Sequence, residues 1–137
     1  MIPSSVTSIG SNAFQSCTLL KHVIIPSSVT SIGNYAFDEC KSLIEIVIPP
    51  LVTSIGSYTF NGCSSLKHIT IPSLINSIGN YAFAGCSSLL HIAIPLSVTS
   101  IGVNAFFYCS SLRQIIIPSS INKQYIEIPL RAKIINI

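Results

Sequence analysis

Six prolines stand 23 residues apart, at Pro3, Pro26, Pro49, Pro72, Pro95 and Pro118. All five cysteines keep the same interval, at Cys17, Cys40, Cys63, Cys86 and Cys109. So do Phe14, Phe37, Phe60, Phe83 and Phe106, and the Ile-Gly pairs that begin at Ile9-Gly10 and end at Ile101-Gly102. No insertion breaks the register between Pro3 and Pro118. A short unit copied without a break cannot bury its apolar side chains alone and buries them by stacking on its copies. The period therefore predicts a repeat solenoid, with like residues aligned in ladders about 4.8 Å apart, the spacing of paired strands.

One unit, read from Leu20, is LKHVIIPSSVTSIGNYAFDECKS. Val23 and Ile25 alternate around Ile24, the pattern of a short strand with one buried face. Pro26 stops that strand, because it has no N–H and a fixed φ. In the next stretch Val29 and Ile32 point inward, Ser and Thr point out, and Gly33 permits a sharp turn. Ala36, Phe37 and Cys40 are then spaced for a short helical or 3₁₀ segment, with Phe37 filling the coil centre. The expected architecture has short parallel strands on one face, with turns, short second strands and 3₁₀ or helical segments on the other sides.

Composition narrows the function. Hydrophobic residues make up 49% of the chain and charged residues 8%, which excludes a disordered chain. Mean hydropathy is +0.67, but Pro or polar clusters interrupt each apolar stretch well short of the roughly 18 residues that a spanning helix needs. Membrane insertion is therefore not expected. The seven basic and four acidic residues are too sparse for a nucleic-acid footprint, which needs a clustered basic face.

The segments L-x-x-V/I-x-I-P and V-T-S-I-G-x-x-A-F-x-x-C, repeated at matching offsets in five units, closely resemble the BspA-like class of leucine-rich repeat. The resemblance covers about residues 2–121, with Thr59 in place of Ala and Asn76 in place of Thr as its departures. It implies a leucine-rich-repeat solenoid with a strand-lined concave face, and a cell-surface or secreted protein concerned with adhesion and protein binding. The opening residues, Met1-Ile2-Pro3-Ser4, lack the basic and apolar regions of a secretory leader, and no lipidation motif ends the chain. The sequence thus also admits a cytoplasmic location.

Candidate chemistry is thin. His22, His68 and His91 share one column with Glu45 and Gln114. This column reads as a solvated polar stripe copied by duplication, or as a metal or pH-sensitive patch, although zinc asks for three or four convergent ligands. The cysteine column matches no zinc spacing. It reads as a buried apolar rung, with a redox or bridging role as its alternative. Asp38 and Glu39 are chain neighbours on an outer turn, more in keeping with a solvated edge than with an acid/base pair. Phosphate-binding, dinucleotide and nucleophile-elbow glycine motifs are missing. The chain is expected to be no enzyme and to need no cofactor or metal.

The better candidate is the outward strand surface, formed by His22, Glu45, His68, His91 and Gln114 beside Ile24, Val47, Thr70, Ala93 and Ile116. The second column is unusually apolar for an exposed face, a mark of partner binding or self-association. A protein partner on this face is the expectation, with a structural or self-associating array as the alternative. Tyr35, Tyr58 and Tyr81 share a further column that either adds aromatic surface or packs the outer turn.

The ends differ from the body. The chain opens partway through a unit, so an uncapped first coil invites end-to-end homo-oligomers. Residues 1–121 are read as the solenoid of about five units. Residues 122–137 depart from the repeat and carry Lys123, Arg131 and Lys133. Their alternation, as in Ile126-Glu127-Ile128 and Ile134-Ile135-Asn136-Ile137, predicts one or two strands that cap the last coil.

Overall fold

The computed structural model describes residues 1–137. Ten short strands follow in chain order: β1 (Ser8–Ile9), β2 (Ser31–Ile32), β3 (Glu45–Val47), β4 (Ser54–Ile55), β5 (His68–Thr70), β6 (Ser77–Ile78), β7 (His91–Ala93), β8 (Ser100–Ile101), β9 (Gln114–Ile117) and β10 (Lys133–Asn136). Pairing is parallel throughout. The longer strands β3, β5, β7, β9 and β10 form one side of the coil, and the two-residue strands β1, β2, β4, β6 and β8 another. Partners such as Glu45 and His68, or Ser77 and Ser100, lie one repeat apart in register. The molecule is a parallel-strand solenoid, as the period predicts, with about six turns where the sequence reading counts about five units.

The proline turn is the same in every coil. The residue three after each proline donates its N–H to the proline carbonyl at 3.1 Å, from Val6 to Pro3 through to Ile121 to Pro118. Proline ends the strand, and its own carbonyl closes the turn that redirects the chain.

The Ala-Phe-x-x-Cys segment departs from the helical expectation and forms a succession of turns. Two residues in each coil have positive φ, illustrated by Tyr35 at 58° and Glu39 at 58°, with Tyr58 at 58° and Gly62 at 69° one coil on. Left-handed residues cannot sit within a right-handed helix. The hydrogen bonds show what is gained. Ala36, Asp38 and Cys40 donate N–H groups three residues back, to Gly33, Tyr35 and Phe37. The intervening N–H groups of Tyr35, Phe37 and Glu39 donate to Ser57, Thr59 and Asn61 of the next coil. A helix would use every N–H internally; alternating turns free half of them to join coil to coil.

The column glycines serve inter-coil packing as well as local bending. A Cβ on Gly33 would lie 2.5 Å from the Ser11 nitrogen, and one on Gly79 would lie 2.5 Å from the Ser57 nitrogen. Neither glycine needs a left-handed φ. What excludes a side chain here is the backbone of the coil below.

The core is one continuous cluster running along the stack. Phe37, Phe60, Phe83 and Phe106 are fully buried at its centre, and the five phenylalanine rings stack with centroids 5.1 to 5.6 Å apart. Stacked tyrosines form a second ladder outside it, with Tyr35, Tyr58 and Tyr81 at centroid distances of 4.7 and 4.9 Å. Their rings cover one another, so this column packs the outer turn.

Candidate functional site

On the longer strands, side chains alternate between core and solvent. Ile46, Ile92 and Ile115 are buried, and the residues on either side of them face out. The strand register therefore brings the predicted surface residues together. In the polar column His22, Glu45, His68 and His91 are exposed, and Gln114 is half-buried. In the apolar column Ile24 is 76% and Val47 69% exposed. Thr70 and Ala93 are also exposed, whereas Ile116 is half-buried beside β10, where it pairs with Ile135.

His22 Nδ1 lies 3.9 Å from Glu45 Oε1, with both side chains more than 60% exposed. At that distance in solvent the pair contributes little. Nowhere do three or more His, Cys, Asp or Glu side chains gather as metal ligands would. Beside His91 and Gln114 the face dips into a shallow concavity of about 120 Å³, lined also by Ile69, Ala93 and Ile116.

Three exposed leucines extend this face at the turn leaving the strands: Leu51, Leu74 and Leu96, at 50%, 50% and 71% exposure. Sequence reasoning passed over them by treating the turn as a polar one, as Ser27-Ser28 and Ser119-Ser120 make it. The signal was present: leucine occupies that turn only in the middle coils.

The cysteine column is chemically quiet. All five thiols are free. Cys40, Cys63, Cys86 and Cys109 donate Sγ–H to the carbonyls of Phe14, Phe37, Phe60 and Phe83 in the preceding coil, at 3.1 to 3.2 Å. Burial pushes the Cys40 thiol up to about 11 and that of Cys109 to about 12. Burial also raises those of Cys63 and Cys86, with the neighbouring rung's thiol adding to the effect. At ordinary pH such thiols stay protonated and are poor nucleophiles.

Asp38 is the buried carboxylate of the chain. Its two oxygens accept hydrogen bonds from Gln15 in the coil below and Asn61 in the coil above, both at 2.8 Å. Both oxygens are thereby engaged, and the acid joins three coils instead of facing a cleft.

Six copies of the BspA type leucine-rich repeat region match residues 7–127. The chain belongs to that family. It is similar to a leucine-rich repeat protein from Bacteroides ovatus, with 34% identity and a TM-score of 0.75 over 96% of this chain and 43% of that one. It is likewise similar to the T. pallidum leucine-rich repeat protein, with 35% identity and a TM-score of 0.81 over 84% of this chain and 56% of that one. A leucine-rich cell surface protein from Faecalibacterium prausnitzii matches at 26% identity and a TM-score of 0.56, over 98% of this chain and 52% of that one. The chain thus spans about half the length of these proteins. No match is found among curated proteins. No helix is long and apolar enough to cross a membrane. Repeats of this class are generally protein-interaction modules.

Proposed function

We propose that the chain is a non-catalytic protein-interaction or adhesion module that binds a protein partner through its concave strand face. One observation carries the reading: Ile24 and Val47 stand 76% and 69% exposed on adjacent coils, which the bridge from His22 to Glu45 joins, beside the polar column of His22, Glu45, His68 and His91. Apolar side chains held out by a rigid sheet contribute to affinity once a partner removes them from water, and the polar column beside them supplies specificity. Leu51, Leu74 and Leu96 enlarge the apolar area along one edge. The Faecalibacterium protein is a cell surface protein, and the likeness to it supports an adhesion role at a surface. The test is partner capture by the immobilised chain, compared with Ile24→Asp and His68→Ala. A partner held by the wild type and lost by Ile24→Asp supports the reading. Full retention by both variants clears the face of the role.

A second reading, self-association, rests on a different observation. Phe14, Leu20 and Val23 are only half-buried, and with Ile2 and Ile24 they line an apolar concavity of about 530 Å³ at the first coil. Light scattering across a concentration series is expected to show dimers if two such ends meet. A monomer at all concentrations sinks this alternative.

A further inference from the structure

The last crossover breaks the repeat. Each earlier pairing of long strands joins residues 23 apart, but Gln114 pairs with Lys133, which is 19 positions on. The shortened coil brings Arg131 next to Arg113, which directly precedes β9. The two arginines line one concavity of about 480 Å³, together with Leu90, Ser110, Ser111 and Leu112.

Neither arginine has an acidic partner. The ion pairs of the chain are His22–Glu45 and Lys41–Glu39. Asp38 is held by Gln15 and Asn61, and Glu127 lines an adjoining hollow, which shares Ser110 with this one, without pairing with either arginine. The serine column changes here too. The Ser64 and Ser87 hydroxyls donate to carbonyls of the preceding coil, at 3.4 and 3.3 Å. Ser110, the next member of that column, is exposed and makes no such bond. Two arginines without an acidic partner and a serine without an inter-coil bond thus line one hollow, a donor set that suits carboxylate oxygens.

We propose that Arg113 and Arg131 form an anion site that takes a side-chain carboxylate from an acidic segment of a protein partner. The proposal rests on the strand-face reading above. Arg113 adjoins Gln114, which lines the apolar hollow of Ile69, Ala93 and Ile116. At about 3.3 Å per residue, Arg113 and Ile116 are roughly 10 Å apart along the strand. A peptide that places an acid on the arginines therefore reaches the hollow with a neighbouring aliphatic side chain. Two cations beside an apolar hollow fit such a peptide better than a sulfated glycan, whose repeated charges need a longer basic track. Lys133, opposite Gln114 on β10, adds positive charge on the same side.

The probe is a short fluorescein-labelled peptide rich in Glu with interspersed Leu, read by fluorescence anisotropy at low ionic strength. Arg113→Gln and Arg131→Gln should each weaken its binding about tenfold, the scale of a lost charge-assisted pair. Lys123→Gln, which removes the same charge elsewhere, should change it less than about twofold. Arg113→Lys, retaining charge without the fork, should fall between. Circular dichroism melts confirm that each variant folds. Equal weakening by Lys123→Gln would show net charge alone and overturn the site, as would no binding of the peptide. Tighter binding of a sulfated oligosaccharide than of the peptide also overturns it. Ile24→Asp separates the two readings. If it leaves partner capture intact while the arginine variants weaken peptide binding about tenfold, the apolar-column reading fails and the anion site stands.

Discussion

The first coil and the third carry the same residues at the same repeat positions, in different surroundings. Phe60, Cys63 and Leu66 have no exposed surface, whereas Phe14, Cys17 and Leu20 are only half-buried. A Cβ on Gly79, a coil further in, would strike the backbone of Ser57, but one on Gly10 meets nothing within 4 Å. The Sγ–H of Cys63 donates to the Phe37 carbonyl at 3.2 Å, and Cys17 has no such bond. In a solenoid the value of a residue depends on the coils beside it as much as on its own identity.

The sharpest way to break this comparison is at the phenylalanine ladder. Phe60→Ala removes a ring packed on both faces and should cost about 3–5 kcal/mol of stability in urea unfolding. Phe14→Ala, packed on one face, should cost under about 2 kcal/mol. Equal losses would mean that the first coil is covered in solution. Next come the glycines. Gly79→Ala forces two coils apart and should cost about 1–3 kcal/mol, whereas Gly10→Ala should stay within about 0.5 kcal/mol of the parent.

The thiols sharpen the comparison through chemistry. A disulfide reagent at mildly alkaline pH should label Cys17 quickly and leave Cys63 and Cys86 untouched until unfolding, as peptide mapping would show. Fast labelling of Cys63 would contradict its burial. These thiols also link stability to pH. Cys40 and Cys109 bind their protons more tightly in the fold than in the unfolded chain, so stability is full below their ordinary value of 9.0. It then falls as pH rises towards about 11 and 12. Cys40→Ala should flatten that decline in melts taken across the alkaline range. The smallest expected effect is at the surface, where His22→Ala should change stability by less than about 0.5 kcal/mol, because its pair with Glu45 is long and solvated.

Legibility followed the kind of interaction. The strands were readable where Ile46 and Ile48, or Ile92 and Ile94, alternate around an outward residue. The same alternation of Val23 and Ile25 yields no strand, only the bridge from His22 to Glu45, because the coil before it offers no paired strand. The helical expectation for Ala36, Phe37 and Cys40 failed for a definite reason. Spacing of one helical turn is also produced by successive tight turns, and which forms depends on whether N–H groups such as those of Tyr35 and Phe37 find acceptors in another coil. A single unit contains no information about that neighbour. Gly33 was read as a bend for the same reason: its need for a close backbone is invisible without Ser11 beside it. The outward columns of the candidate face followed directly from strand alternation. The arginine pair did not, because Arg113 belongs to the repeat and Arg131 to a segment that has left it.

By itself the sequence determined the period, the coil and the identity of its rungs, because periodic apolar residues can be buried only by stacking in register. The tertiary structure alone decided how the turns share their hydrogen bonds, why the column glycines cannot carry a side chain, and where Arg131 sits. Those features depend on contacts between coils, and a contact belongs to two coils at once.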